Sequence, residues 1–289
     1  MYAFPFLLLL LLSMLTALPV TASDKLPVGP GRTYARLHEA LAASRDGDVI
    51  LISPGWYPEK GMIVRKRMCI HGEGWPVFDA QGGETIPDIS ADGVEVRGLV
   101  FRGVGVDYIK EHGAIWITEA ADALIEGNRF ETDFFGVYGA HVRRATIKGD
   151  VFEGLRGKET ANGNGLHFWK SDNVIIVNNI MRGHWDGIYL EFTGNSVVTG
   201  NLCEGNVRYG LHFMYANGNS YRGNTFRNNG SGVAVMYSKE VDMHGNTFEN
   251  NWGAASYGLL LKSIKDSRIE DNRFKRNTVA IFQEASSRL

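Results

Sequence analysis

From residue 113 onward the chain is written in short apolar runs broken by Gly and Asn, and the runs return at a fixed step. One phrase, apolar-x-Gly-Asn-x-apolar, appears as Ile125-Glu-Gly-Asn-Arg-Phe130, Ile147-Lys-Gly-Asp-Val-Phe152, Ile175-Ile-Val-Asn-Asn-Ile180 and Val198-Thr-Gly-Asn-Leu-Cys203. It returns as Tyr221-Arg-Gly-Asn-Thr-Phe226, Met243-His-Gly-Asn-Thr-Phe248 and Ile269-Glu-Asp-Asn-Arg-Phe274. The Asn or Asp slot is read at 128, 150, 178, 201, 224, 246 and 272, a unit of 22 to 23 residues with two longer steps. A second phrase, Gly followed by alternating apolar residues, keeps that step at Gly113, Gly136, Gly165, Gly187, Gly210, Gly232 and Gly258. A third slot holds Asp133, Asn206, Asn229, Asn251 and Asn277. Both main phrases lengthen together, which makes the insertions, around 157–162 and 252–256, loops.

A unit this short, built of strand-length pieces, is too small for a two-helix repeat and lacks the Leu pattern of leucine-rich repeats. Stacked coils of short parallel strands fit it, with inward residues in ladders and Asn at the bends. The expected fold is an all-β, right-handed parallel β-helix of 22–23-residue coils, the hand following the crossover rule. Residues 23–289 then form one domain, with regular coils from about 90 to 289. Ahead of them, Tyr34 to Ser44 reads as an amphipathic helix, followed by the strand Val49 to Ile52 and the turn Pro54-Gly55. This is the N-terminal cap, at about 30–60, that a solenoid needs over its first coil. At the other end Val279-Ala-Ile-Phe282 repeats the Gly-phrase strand without an amphipathic cover after it, as in a C-terminally truncated solenoid.

Phe4 to Val20 is apolar and Val20-Thr21-Ala22 offers small residues before Ser23, the pattern of a secretory signal peptide spanning 1–22, with an uncleaved anchor as the alternative. An exported protein is expected. The 289 residues are 44% hydrophobic and 21% charged with a net charge of −2, a globular balance without the basic excess that nucleic-acid binding requires. Two Cys exclude a disulfide framework. The 19 Asn all lie at or after Asn128, which separates the cap region from the regular coils.

Strand alternation sends Leu166 and Phe168, Ile188 and Leu190, Leu211 and Phe213, and Val233 and Val235 inward. Their neighbours His167 and Trp169, Tyr189 and Glu191, His212 and Met214, and Met236 then face outward, where charged or small residues would be ordinary. With coils ~4.8 Å apart, Glu191, Met214 and Met236 stack in one column with His212 beside Met214. Two thioethers and an imidazole on one wall make a soft site suited to Cu(I). His167, two coils away, is too distant to share the ion; with Trp169 and Tyr189 it is read as partner-contact surface. A protein-contact patch and a carbohydrate platform are the competing readings of the strip. For a carbohydrate-active enzyme the candidate carboxylates are Asp186 and Glu191, with Arg208 and Lys262 as basic partners. His71, His112, His141, His184 and His244 show no ligand spacing and read as surface residues. Cys203 replaces the repeat's Phe and reads as core filler, as does Cys69. No phosphate-binding loop or GxSxG elbow occurs.

Gly187-Ile-Tyr-Leu-Glu-Phe-Thr-Gly-Asn195, Tyr209-Gly-Leu-His-Phe-Met-Tyr-Ala-Asn217, Val235-Met-Tyr-Ser238, and Tyr257-Gly-Leu-Leu-Leu-Lys-Ser263 with Asp266-Ser-Arg-Ile-Glu-Asp-Asn-Arg-Phe274 resemble the NosD family of periplasmic β-helix proteins. The resemblance runs from about Asp24 to the end. It implies a non-enzymatic partner of an ABC transporter ATPase and permease, accepting copper from a lipoprotein chaperone and helping to build the copper-sulfide centre of nitrous oxide reductase. It also implies metal or chaperone contact at His212, Met214 and Met236.

Overall fold

The computed structural model describes residues 23–154 and 163–289. The expected leader, 1–22, and the insertion expected around 157–162 lie outside the described residues. The fold is a parallel β-helix: the chain visits three sheets in turn, of eleven, ten and ten strands, each pairing with the equivalent strand of the next coil. In one coil Ile175–Val177 enters the first sheet, Ile180–Arg182 the next and Asp186–Glu191 the third. A three-residue strand sends its central side chain inward, and the six-residue strand sends two. Ile176, Met181, Ile188 and Leu190 are accordingly fully buried while Ile175 faces solvent.

Like residues stack on like because each coil repeats the last. Phe78, Phe101, Phe130 and Phe152 form an internal ring column with successive centroids 6.1, 5.3 and 4.4 Å apart. Met181 and Cys203 continue the column and Phe226, Phe248 and Phe274 complete it. Each fully buried Phe contributes roughly 1.5–3 kcal/mol of transfer free energy.

The Asn column holds the bend. Asn201 Nδ2 donates to Ile176 O at 2.9 Å and to Asn224 Oδ1 at 3.0 Å, and that same oxygen accepts Asn201 N–H at 2.9 Å. Coil after coil this satisfies buried backbone groups that no strand partner reaches. The member of the third unit is Asn179, not Asn178. Asn178 takes the preceding position, where φ is +55°; five other coils carry Gly127, Gly149, Gly200, Gly223 and Gly245 there and one carries Asp271. A left-handed residue is required there and Asn tolerates it among non-glycine residues. A second one-residue correction applies to Gly113, whose partner is Phe135; Ala114 aligns with Gly136.

The helix runs from Leu37 to Ala43, shorter than the Tyr34–Ser44 expected. Its N-cap, Arg36, offers no acceptor, so a carboxylate from across the coil substitutes: buried Glu59 accepts Leu37 N–H at 2.9 Å and His38 N–H at 3.2 Å. Cys69 faces outward and is half-buried rather than a core filler, whereas Cys203 is fully buried. At the far end, every residue of the strand Val279–Glu284 is exposed. Among the described residues no helix is long and apolar enough to cross a membrane.

Candidate functional site

The outer face of the sheet that contains Asp186–Glu191 carries the candidate residues. Its register pairs Glu191 with Met214 and Met214 with Met236, and Lys262 follows Met236. Both methionines are half-buried. The adjacent column reads Trp116, Tyr138, His167, Tyr189, His212, Ala234. Its first five rings form a continuous stack, edge-on between Tyr138 and His167 and tilted between His167 and Tyr189, with successive centroids 4.3, 4.7, 4.6 and 4.5 Å apart.

That stack changes the status of the histidines. His167 and His212 were expected to stand in solvent; they face away from the solenoid interior yet are only 6% and 3% exposed. The cause is the coil spacing: rings on neighbouring strands lie at contact distance, and Tyr189 is sandwiched between both imidazoles. His184 is also not a surface residue. It is fully buried at the head of the ladder Asn206–Asn229–Asn251–Asn277, where Asn206 Oδ1 accepts its backbone N–H at 3.1 Å. Burial lowers the pKa of His184 to about 4, so it is neutral at pH 7.

His212 is held by a buried ion pair. Asp186 is fully buried and accepts two bonds from Arg208, at Nε (2.9 Å) and at Nη2, together with Tyr209 N–H at 3.1 Å. His212 Nδ1 lies 3.3 Å from Asp186 Oδ2 and 3.3 Å from Arg208 Nη2, whereas Nε2 has no hydrogen-bond partner among the described residues. Burial opposes charge on Asp186, but Arg208 and His212 outweigh it and hold the carboxyl below its ordinary range. Glu191 stands 3.8 Å from His167 Nε2. His167 is the chief reason its carboxyl also lies below the ordinary range, so Glu191 is anionic near neutrality. Burial pushes the Tyr189 hydroxyl up, and the Glu191 charge adds to the shift. Among the described residues no group of three or more His, Cys, Asp and Glu could together hold a metal. The thioethers are therefore essential to any metal reading of this wall.

A second aromatic column flanks the methionines. Phe192, Tyr215 and Tyr237, each one residue beyond Glu191, Met214 and Met236, stack with centroids 5.0 and 5.1 Å apart. All three have left-handed backbones and are more than 40% exposed. The signal was present in the repeat, as three aromatics in one slot of three successive coils.

The family profile described as "Periplasmic copper-binding protein (NosD)" matches residues 143–288, half of the chain. The chain belongs to the NosD family. The matched segment contains the whole column Glu191, Met214, Met236 and the ring pair Tyr189–His212. A protein of Stutzerimonas stutzeri, "Probable ABC transporter binding protein NosD", is 32% identical over 126 residues, 43% of this NosD-family chain and 29% of its own length. A "Cell surface glycoprotein" of Methanothermus fervidus is 24% identical over 231 residues, covering 76% of this chain and 37% of its own. The chain thus spans about a third of the length of these curated relatives. Among solved structures, an alginate lyase from Paenibacillus superposes with a TM-score of 0.65 at 14% identity, covering 89% of this chain and 99% of that one. The Dettilon tailspike protein superposes at 0.63 with 12% identity, covering 81% and 50%. At such identities these likenesses establish the shared solenoid fold alone.

Proposed function

We propose that this NosD-family chain is a periplasmic accessory protein, not an enzyme, that handles Cu(I) as cargo on the wall built by His212, Met214, Met236 and Glu191. The observation that carries the reading is the register: residues 22 apart along the chain become cross-strand partners, so Met214 and Met236 sit side by side. The supporting chemistry follows from the donors. A proton on His212 Nδ1 serves Asp186 and leaves the lone pair on Nε2, the arrangement by which a carboxylate prepares a metal-ligating imidazole. Thioethers are soft and never need deprotonation, so they hold Cu(I) without thiolate-strength retention, as transfer requires. Glu191 is a poor ligand for so soft an ion; its negative charge at the rim attracts the cation. Cys203 is excluded from the set because it is fully buried and burial raises its thiol pKa.

In this reading the cargo arrives from a lipoprotein copper chaperone, the chain works beside an ABC transporter ATPase and permease, and the destination is the copper-sulfide centre of nitrous oxide reductase. Support comes from the family's description as copper-binding and from the Stutzerimonas stutzeri relative's name as a probable ABC transporter binding protein. His167, Trp169 and Tyr189 then serve as contact or supporting surface. A carbohydrate-active reading is weakened at its carboxylates: Asp186 is buried and ion-paired to Arg208, which removes it as a base toward a polymer outside.

Anaerobic competition titration against a Cu(I) chelator tests the proposal. One tight site in the wild type, weakened at least tenfold in a Met214→Ala/Met236→Ala double variant, is expected. Equal affinity in the two proteins, or no binding in either, overturns it.

A further inference from the structure

Well away from the methionine wall, at the cap, lies a cavity of about 580 Å³ between the helix Leu37–Ala43 and the strand Met62–Val64, which ends its sheet. Its charged lining is one-sided. Arg36, Lys60, Arg65 and Lys66 line it, with His38, against the single carboxylate of Glu59. That carboxylate is committed to the helix amides of Leu37 and His38. The chain as a whole carries a net charge of −2, so this concentration of cations is local.

Their partners leave most of the charge unneutralised. Lys66 Nζ donates to Ser44 O at 2.5 Å and Lys60 Nζ to Ala80 O at 3.4 Å; both acceptors are carbonyls, which orient an ammonium without cancelling it. Among the four Arg and Lys side chains only Arg36 has a carboxylate partner among the described residues, Glu39 at 3.2 Å, while His38 Nδ1 lies 3.7 Å from Glu59. Arg65 makes no ion pair within 4 Å among the described residues, although Asp88 feels its charge across the neighbouring strand. Gathering like charges in a concave, partly apolar site focuses a positive potential that a matching anion relieves. The apolar side of the cavity is built by Leu41 and Ile63 over the buried Met62 and Met68.

We infer that this cavity binds an organic anion, a phosphate or phosphate-like headgroup on an apolar stem, with Arg65 and Lys66 contacting the anion. The headgroup chemistry fits both a free phosphate ester and an anionic lipid, and the experiment distinguishes the two. Titration calorimetry with inorganic phosphate, octyl phosphate and neutral octyl glucoside is run on the purified chain. Sedimentation with phosphatidylglycerol vesicles and with phosphatidylcholine vesicles runs alongside.

Saturable binding of octyl phosphate at least tenfold tighter than of inorganic phosphate is expected, with no uptake of octyl glucoside. An Arg65→Gln/Lys66→Gln variant loses at least tenfold, while Arg65→Lys retains most of the affinity. Co-sedimentation with the anionic vesicles that the double variant abolishes identifies a lipid; octyl phosphate binding without co-sedimentation identifies a free ester. No saturable binding of either phosphate by the wild type overturns the inference, and so does unchanged affinity in the double variant. In either case the cations serve only to guard the open strand edge.

Discussion

Asp150 is the one carboxylate in a ladder of asparagines, and replacing it with Asn makes a quantitative test of how the coils are held together. Asp150 Oδ1 accepts Asn128 N–H at 2.7 Å and Asn128 Nδ2 at 3.0 Å, as an Asn would. Its other oxygen, Oδ2, is buried without a partner among the described residues. In Asn179 the equivalent atom is Nδ2, which donates to Ile147 O at 2.9 Å. Burial is the main reason the Asp150 pKa rises from 3.8 to about 7. The native protein therefore keeps a proton that the unfolded chain has released. Between pH ~4 and ~7 the folded state binds more protons, so stability falls as pH rises through that window and levels off beyond it. With those two pKa values the carboxyl costs the native state roughly 2 kcal/mol at pH 5 and roughly 4 kcal/mol at pH 8. Asp150→Asn removes this dependence and adds the missing donor. Urea denaturation of both proteins at pH 5 and pH 8 reads the result. The variant is expected to be more stable at both, with an advantage larger by roughly 2–3 kcal/mol at pH 8. His184 imposes the opposite slope on both proteins and cancels in the difference. An advantage that does not change with pH, or a variant less stable than wild type at pH 8, refutes the reasoning.

His184→Asn should show the mirror image. His184 is neutral in the fold down to about pH 4, whereas the unfolded chain protonates near 6.5, so the wild type loses stability as pH falls between these values. The variant's relative stability should be greater by about 2 kcal/mol at pH 5 than at pH 8 in the same urea assay. Asn224→Ala removes the acceptor of Asn201 N–H and Nδ2 and the donor to Val198 O, and should cost about 3 kcal/mol; a loss below 1 kcal/mol contradicts the ladder's role. Of the two thiols, buried Cys203 should resist a small alkylating reagent until the protein is denatured, while half-exposed Cys69 reacts in the native state. Mass spectrometry counts the adducts, and native labelling of Cys203 contradicts the packing.

The period was legible because a coil's perimeter is nearly constant, so every slot must recur at the same step. Single-residue errors arose where the local text is degenerate. Val177-Asn-Asn-Ile180 offers two asparagines to one slot, and only Met181 in the Phe column shows that Asn179 fills it. Alternation correctly assigned the faces of His167 and His212 but not their burial, because a side chain outside one strand can be covered by rings on the next. Asp186 and Arg208, named together from the sequence as carboxylate and basic partner, do meet, because the two residues are 22 apart, one coil. Left-handed Phe192, Tyr215 and Tyr237 passed unnoticed because they follow the strand, in a turn slot that the apolar alternation does not read.

The solenoid places two thioethers and an imidazole on one wall, and X-ray absorption at the copper edge of the anaerobic protein with one equivalent of Cu(I) tests most directly whether they bind copper together. Two sulfur neighbours and one imidazole nitrogen are predicted, with the sulfur scattering lost in Met214→Ala/Met236→Ala and the nitrogen lost in His212→Ala. A shell of nitrogen and oxygen alone, or sulfur scattering that survives the double methionine variant, contradicts it.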